Sequence, residues 1–346
     1  MTKTILKTVL GIGLLAGPLA PAPAAQDKPG TTAAPFLLIG TDARGTAMGS
    51  AQTAVAQGPA ALHWNPAGIA SASDRSGGGA VFSTQEWFLP DTQHSFAAVT
   101  LNSGGLGTFG LSVATMDYGE EPVTTVEFPD GTGELYSATD LAVGLSYGRA
   151  LTQRFSIGAT AKVVRQQLWN ESATTAALDL GVRYETDYRG IVLGAAMTNF
   201  GGDMELSGRD LRRRLDNDPD RTGDNDDLPA ALEVDEWPLP LAFRVGISAM
   251  PVQAGDLSLM VSAEGLAPSD NSQSANFGGE AAWRDLLFVR GGYRQAFSSV
   301  ADDGGWSVGF GLAYDLSPNL GLQFDYVFQE YEPFGTPQMF SLGVTF

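Results

Sequence analysis

The run Leu320-Gly321-Leu322-Gln323-Phe324-Asp325-Tyr326-Val327-Phe328-Gln329 decides the fold, together with the later run Phe340-Ser341-Leu342-Gly343-Val344-Thr345-Phe346. In the second run Phe340, Leu342, Val344 and Phe346 share one phase, and Ser341, Gly343 and Thr345 share the other. In the first, Leu320, Leu322, Phe324, Tyr326 and Phe328 alternate with Gly321, Gln323, Asp325, Val327 and Gln329. An earlier stretch repeats the pattern, with Trp306, Val308, Phe310, Leu312 and Tyr314 set against Ser307, Gly309, Gly311, Ala313 and Asp315. Successive strand side chains point to opposite faces. Each run therefore has one large apolar face and one small or polar face. A soluble sandwich buries the large face. A membrane barrel turns it to lipid and lines its lumen with the small one. Alternation alone does not separate the two; strand length, strand count and loop placement do.

Working outward from this end, the same alternation marks fourteen segments: 78–89, 94–102, 105–117, 138–150, 153–169, 173–188, 190–200, 239–250, 255–266, 273–284, 286–297, 304–316, 318–331 and 337–346. Most reach ten residues, where a globular strand averages about 5–6 and a tilted spanning strand needs about 9–11. The even number suits a bacterial barrel whose ends lie on one side. Connections after even-numbered strands are short: Ser103-Gly104, Leu151-Thr152, Arg189, Pro251 to Ala254, Asp285 and Ser317. Both long ones, 118–137 and 201–238, follow odd-numbered strands. Short periplasmic turns and long outside loops are the asymmetry of outer-membrane barrels. The expected fold is all-β, a 14-stranded antiparallel transmembrane barrel over 78–346, with a lead-in and plug over 26–77.

Residues 1–25 read as a signal peptide. Lys3 and Lys7 give a positive start, Val9 to Ala16 an apolar stretch, and Ala22-Pro23-Ala24 small residues for cleavage. The apolar stretch is shorter than the roughly 20 residues a spanning helix needs. The formal charge of −19, with only four lysines, argues against nucleic acid as a partner. The chain has no cysteine, which excludes disulfide scaffolds and Cys-based metal sites. Together these features place the protein in the bacterial outer membrane after export, among outer-membrane lipids and the barrel-assembly machinery.

On the polar phase lie charges of both signs: Asp179, Arg183, Glu185, Arg244, Glu280, Arg290, Arg294 and Asp325. On a lipid face they would be costly; across a lumen they are expected to pair. Trp87, Tyr118, Trp169, Tyr188, Trp283, Tyr293 and Tyr331 fall near strand ends, where interface girdles lie. Residues 36–75 are rich in small side chains, with a short helix expected to break at Pro66, and suit close packing inside a barrel. Pro66 holds Asn65 extended, and the Asn65 amide is then free to fix the turn.

The run from Phe36 to Gly49, with Asp42-Ala43-Arg44 and Met48-Gly49, resembles the opening of the PorV/PorQ family; so does Ala60 to Ile69, with Asn65-Pro66-Ala67. The family belongs to the FadL-like barrels, and its Asn-Pro-Ala signature lies in the plug. The resemblance implies a plug built on Asp42, Arg44, Asn65, Pro66 and Ala67. It also implies one of two roles. PorV-like proteins act with type IX secretion, taking secreted cargo and secretion-pore subunits as partners; FadL-like relatives pass hydrophobic small molecules. A third reading is a structural or adhesive barrel acting through loops 118–137 and 201–238. The aromatic Phe346 resembles a barrel-insertion signal.

Gly144-Leu145-Ser146-Tyr147-Gly148 and Gly305-Trp306-Ser307-Val308-Gly309 match a hydrolase nucleophile pattern. Strand alternation generates both, and no enzyme activity is expected. Asp216, Asp218, Asp220, Asp224 and Asp227 echo the spacing of a Ca²⁺ loop over 216–227, with Gly223 displaced from the usual turn position. The competing reading is a solvated acidic loop.

Overall fold

The computed structural model describes residues 30–70, 77–88, 91–188, 190–216, 228–298, 304–331 and 335–346. The signal peptide expected at 1–25 lies outside them. Fourteen long antiparallel strands close into a barrel. They are β1 (Gly78–Glu86), β2 (Gln93–Asn102), β3 (Thr108–Pro122), β4 (Leu135–Ala150), β5 (Phe155–Leu168), β6 (Glu171–Glu185), β7 (Val192–Gly201), β11 (Ala242–Ala254), β12 (Leu257–Pro268), β13 (Ser274–Trp283), β14 (Leu287–Ala296), β15 (Gly305–Ser317), β16 (Leu320–Gln329) and β17 (Gln338–Thr345). Short strands β8 (Ser207–Gly208), β9 (Arg212–Leu215) and β10 (Leu228–Ala231) decorate the long β7–β11 connection. β1 pairs with β17 from Gly79↔Thr345 to Gln85↔Met339, which removes both sheet edges.

The predicted faces hold. Phe310, Leu312, Phe324, Phe328, Phe340 and Leu342 are exposed on the outside, whereas Ser307, Asp325 and Ser341 are buried inside. No helix among the described residues is long and apolar enough to cross a membrane; the strands do the crossing. Strand ends differ from the expected ones by a few residues. β3 and β4 run on as a paired ribbon to Pro122↔Leu135, so the loop expected at 118–137 narrows to 123–134. The β2–β3 connection is longer than Ser103-Gly104, because Gly104–Leu106 forms a 3-10 turn. Short turns nevertheless gather at one end and long connections at the other, and the short-turn end is periplasmic by the rule for such barrels.

Three of the seven aromatics expected in the girdles turn inward. Trp87 and Tyr118 pack against the luminal apolar cluster. Tyr331 meets Trp87 edge to face and takes the Arg294 guanidinium over its ring at 3.6 Å. Trp169, Tyr188, Trp283 and Tyr293 are exposed. Trp87 and Tyr331 stand just past the ends of β1 and β16, where a side chain is free to fold over the rim. Tyr118 falls in the register shift between Asp117 and Glu120 of β3, where the period-2 phase is interrupted.

Candidate functional site

The barrel's interior is occupied by residues 30–70. The chain starts at the long-loop mouth, where Thr32 Oγ1 donates to Asp270 Oδ2 (3.0 Å), the Ala33 N–H to the Pro238 carbonyl (2.9 Å) and the Ala34 N–H to Gln166 Oε1 (2.9 Å). It descends through a 3-10 turn (Pro35–Leu38), helix α1 (Ala43–Ala47), a 3-10 turn (Gly58–Ala60), helix α2 (Ala61–Trp64) and a last 3-10 turn (Pro66–Ala70). It then enters β1 at the periplasmic end, where the Gly78 N–H donates to the carbonyl of Phe346 (2.8 Å). In place of one helix broken at Pro66 there are two short helices and three turns. The small residues that fit the lumen also end each helix early.

Asp42 caps α1: its carboxylate accepts from the Gly45 N–H (2.7 Å) and from Trp64 Nε1 (2.5 Å). It thus ties two parts of the plug together and does not reach the wall. Arg44 does. Its guanidinium makes a bidentate pair with Glu280 of β13, both contacts 2.9 Å. Glu280 also takes Arg290 of β14 (2.6 Å), and Arg290 reaches Asp325 of β16 (2.5 Å). Four predicted residues from three strands and the plug thus form one buried chain of charges. Asp179 pairs with Lys162 at 2.9 Å, and Arg183 with Glu185. Arg244 stands 3.9 Å from Glu264 and 5.5 Å from the Trp64 ring. Glu264 itself accepts from the Gln52 and Thr53 N–H groups (3.0 and 2.8 Å). His63, on α2 and outside the spanning strands, has its pKa held well below 6.5 by burial and then by the charges of Arg244 and Lys162.

The Asn65-Pro66-Ala67 turn is bonded on three sides. Asn65 is extended (φ −160°, ψ 105°), as the following proline requires. Its Nδ2 donates to the Thr53 carbonyl (2.7 Å) and to the Val182 carbonyl of β6 (3.0 Å), and its Oδ1 accepts from the Ala67 N–H (3.1 Å). Pro66 and Ala67 press on Gly158 of β5.

That last contact belongs to a belt. A methyl group built at Gly158, Gly194, Gly278 or Gly292 would stand closer than 3.0 Å to plug backbone atoms, and one at Gly181 would overlap the Asn65 amide. Gly110, Gly148 and Gly309 meet Leu62, Ile69 and Ala47 in the same way. Gly49 answers from the plug side: it sits at φ +62° and lies against the backbone of Phe277 and Tyr293. The wall is a socket moulded to the plug backbone.

Sequence reading missed Lys162, Glu264, Trp64 and the glycine belt. The belt left a trace, since glycines recur on the polar phase of most strands, but phase alone does not tell which of them meets a plug. Asp216 follows β9, while Asp218, Asp220, Asp224 and Asp227 lie outside the described residues.

A fourteen-stranded barrel filled by its own N-terminal segment has the architecture of the FadL-like outer-membrane barrels. A Pseudomonas aeruginosa FadL homologue superposes with a TM-score of 0.55 at 14% identity, covering 88% of this chain and 98% of that one. The Pseudomonas putida toluene transporter TodX gives 0.54 at 14% identity (88% and 97%), and the monoaromatic hydrocarbon channel CymD gives 0.53 at 12% (89% and 97%). At such identity these likenesses establish the fold alone. The family described as "Type IX secretion system protein PorV" matches residues 22–193, which take in the plug and the wall as far as the start of β7. The chain belongs to the PorV family. No curated protein matches the sequence.

Proposed function

We propose that this protein is a closed outer-membrane platform serving protein secretion or surface attachment, and that it acts through its extracellular face rather than by passing a solute. The observation that carries this reading is the moulded socket: the plug has no room to slide past the wall glycines. The outer half of the lumen is filled by the chain itself, with Phe36 and Leu37 packed against Met116, Val164, Met204 and Leu239. The cavity left beside them is about 30 Å³, room for about one water. A larger cavity of about 380 Å³ lies nearer the periplasmic end, with Asp42, Arg44, Asp315 and Asp325 in its lining beside apolar Pro59, Val81 and Leu322. Export by a cleaved signal at 1–25 and membrane insertion directed by Phe346 belong to the same proposal. The test is co-purification of the tagged full-length protein from mild detergent. Secreted proteins or secretion-pore subunits should come with it, and a deletion strain should retain cargo. A free protein with unchanged secretion would sink the reading.

Uptake of hydrophobic molecules is the second reading. The FadL-like fold favours it, and so does a bulge in β7, where Asn199 sits at φ +64° and the register with β6 shifts. Uptake of a labelled aromatic hydrocarbon that falls on deletion would support it. Calcium in loop 216–227 is a separate proposal resting on Asp spacing alone; calorimetry of the whole protein with millimolar Ca²⁺ decides it, a flat titration dismissing the ion.

A further inference from the structure

The lipid-facing wall carries a polar interruption near its outer rim, at the seam where β1 meets β17. Here the outward phase reads Thr84 and Glu86 on β1, Gln93 and Ser95 on β2, and Gln338 and Phe340 on β17. Glu86 pairs with Gln93 across β1–β2, and the β1–β17 register puts Gln338 opposite Glu86 on the other side, one step beyond the last paired residues. Two amides and a carboxylate thus stand in one row across three strands. The next row inward is Ser95, Thr84, Phe340 and Tyr326. The exposed Phe88 closes the other side, backed at 5.1 Å by the ring of Trp87, which folds over the rim toward the lumen. Between these groups lies a cleft of about 420 Å³, floored by Tyr326 and Phe340 and roofed near Pro337.

We infer that this cleft binds a neutral sugar ring at the level of the outer-leaflet headgroups. Three features select that chemistry. The aromatic rings offer flat apolar platforms beside groups that both donate and accept hydrogen bonds, which is what a ring with an apolar face and a hydroxyl edge needs. The amide of Gln338 is pre-set: Tyr326 Oη donates to its Oε1, which turns its NH₂ outward. Among the described residues no lysine or arginine lines the cleft, and Glu86 does, so a phosphate headgroup meets repulsion from it. A wet collar explains scattered polar side chains at this height. It does not explain a ligand-sized hollow with its hydrogen-bonding groups aligned in one row and its aromatics in the next.

The test uses the full barrel in nanodiscs with acyl-matched additives: monoglucosyl diacylglycerol, the diacylglycerol without sugar, and phosphatidylglycerol. Retained lipid is counted by native mass spectrometry. The glucolipid should be retained about tenfold over either control, and the Glu86→Ala/Gln338→Ala variant should lose that preference. Folding of the variant is checked by heat-shifted gel mobility, and if it fails to fold, the wild-type comparison still decides. Competition by free methyl glucoside would show that the ring suffices, whereas retention without competition would assign the lipid-linked sugar. Equal retention of phosphatidylglycerol, or equal retention by wild type and a folded variant, would overturn the proposal.

Discussion

Arg290 and Arg44 share Glu280 but differ in what they leave behind. Arg290 alone reaches Asp325 as well, so Arg290→Met strips one buried carboxylate of its arginine and weakens the other. Breaking a buried pair by removing one partner costs about 3–5 kcal/mol, because the remaining charge has no compensation. Arg44→Met leaves Glu280 on Arg290 and is expected to cost clearly less. Urea-unfolding midpoints of the two variants, read by heat-shifted mobility, test the order; equal midpoints would mean that the chain of charges does not act as one network. At this scale the sequence was half legible. Phase alone assigned Asp179, Arg183, Glu185, Arg244, Glu280, Arg290, Arg294 and Asp325 to the lumen; six of these are buried, whereas Glu185 and Arg294 are only half-buried. Their partners were not legible, because Lys162–Asp179 and Arg44–Glu280 form between segments whose facing is set only when the barrel closes around the plug.

Strands were the most legible elements, since a ten-residue alternation carries its own register and face. Rims were the least legible: Trp87, Tyr118 and Tyr331 looked like girdle residues and instead turn inward, where apolar neighbours and the Arg294 cation await them. Loop parity was legible from connection length, and it makes a sided prediction. The chain has no cysteine, so a single introduced thiol reports its own side. Val126, 99% exposed on the β3–β4 loop, and Asn319, on the β15–β16 turn, belong to opposite ends. On intact cells, Val126→Cys should react with a membrane-impermeant maleimide. Asn319→Cys should react only after the outer membrane is opened. The reverse pattern would invert the barrel and place the 202–241 connection in the periplasm.

For the whole molecule, the question is whether plug and wall behave as one body. Helix ends, turns and the Asn65 amide are all bonded to strands that come from every part of the sheet: Ser83 of β1 donates to the Thr41 carbonyl, Ser307 of β15 to the Ala47 carbonyl (3.1 Å), and Ser156 of β5 to the Ala70 carbonyl (3.2 Å). Between these bonds the wall glycines admit the plug backbone and nothing larger. Overpacking such a contact costs about 1–3 kcal/mol, since neither backbone is free to yield. Gly292→Ala should therefore lift the plug locally at Gly49 without opening the sheet, where β14 keeps its ladders to β13 and β15. In planar bilayers the wild-type barrel should stay closed under voltage. Gly292→Ala combined with Arg44→Met should flicker open, because the plug then loses both its fit at Gly49 and its bidentate tie to Glu280. The exposed Val126→Ser variant should behave as wild type. Steady porin-like conductance from the wild-type protein would end the closed-platform reading, since ions would then have a route past a plug that the socket leaves no room to pass.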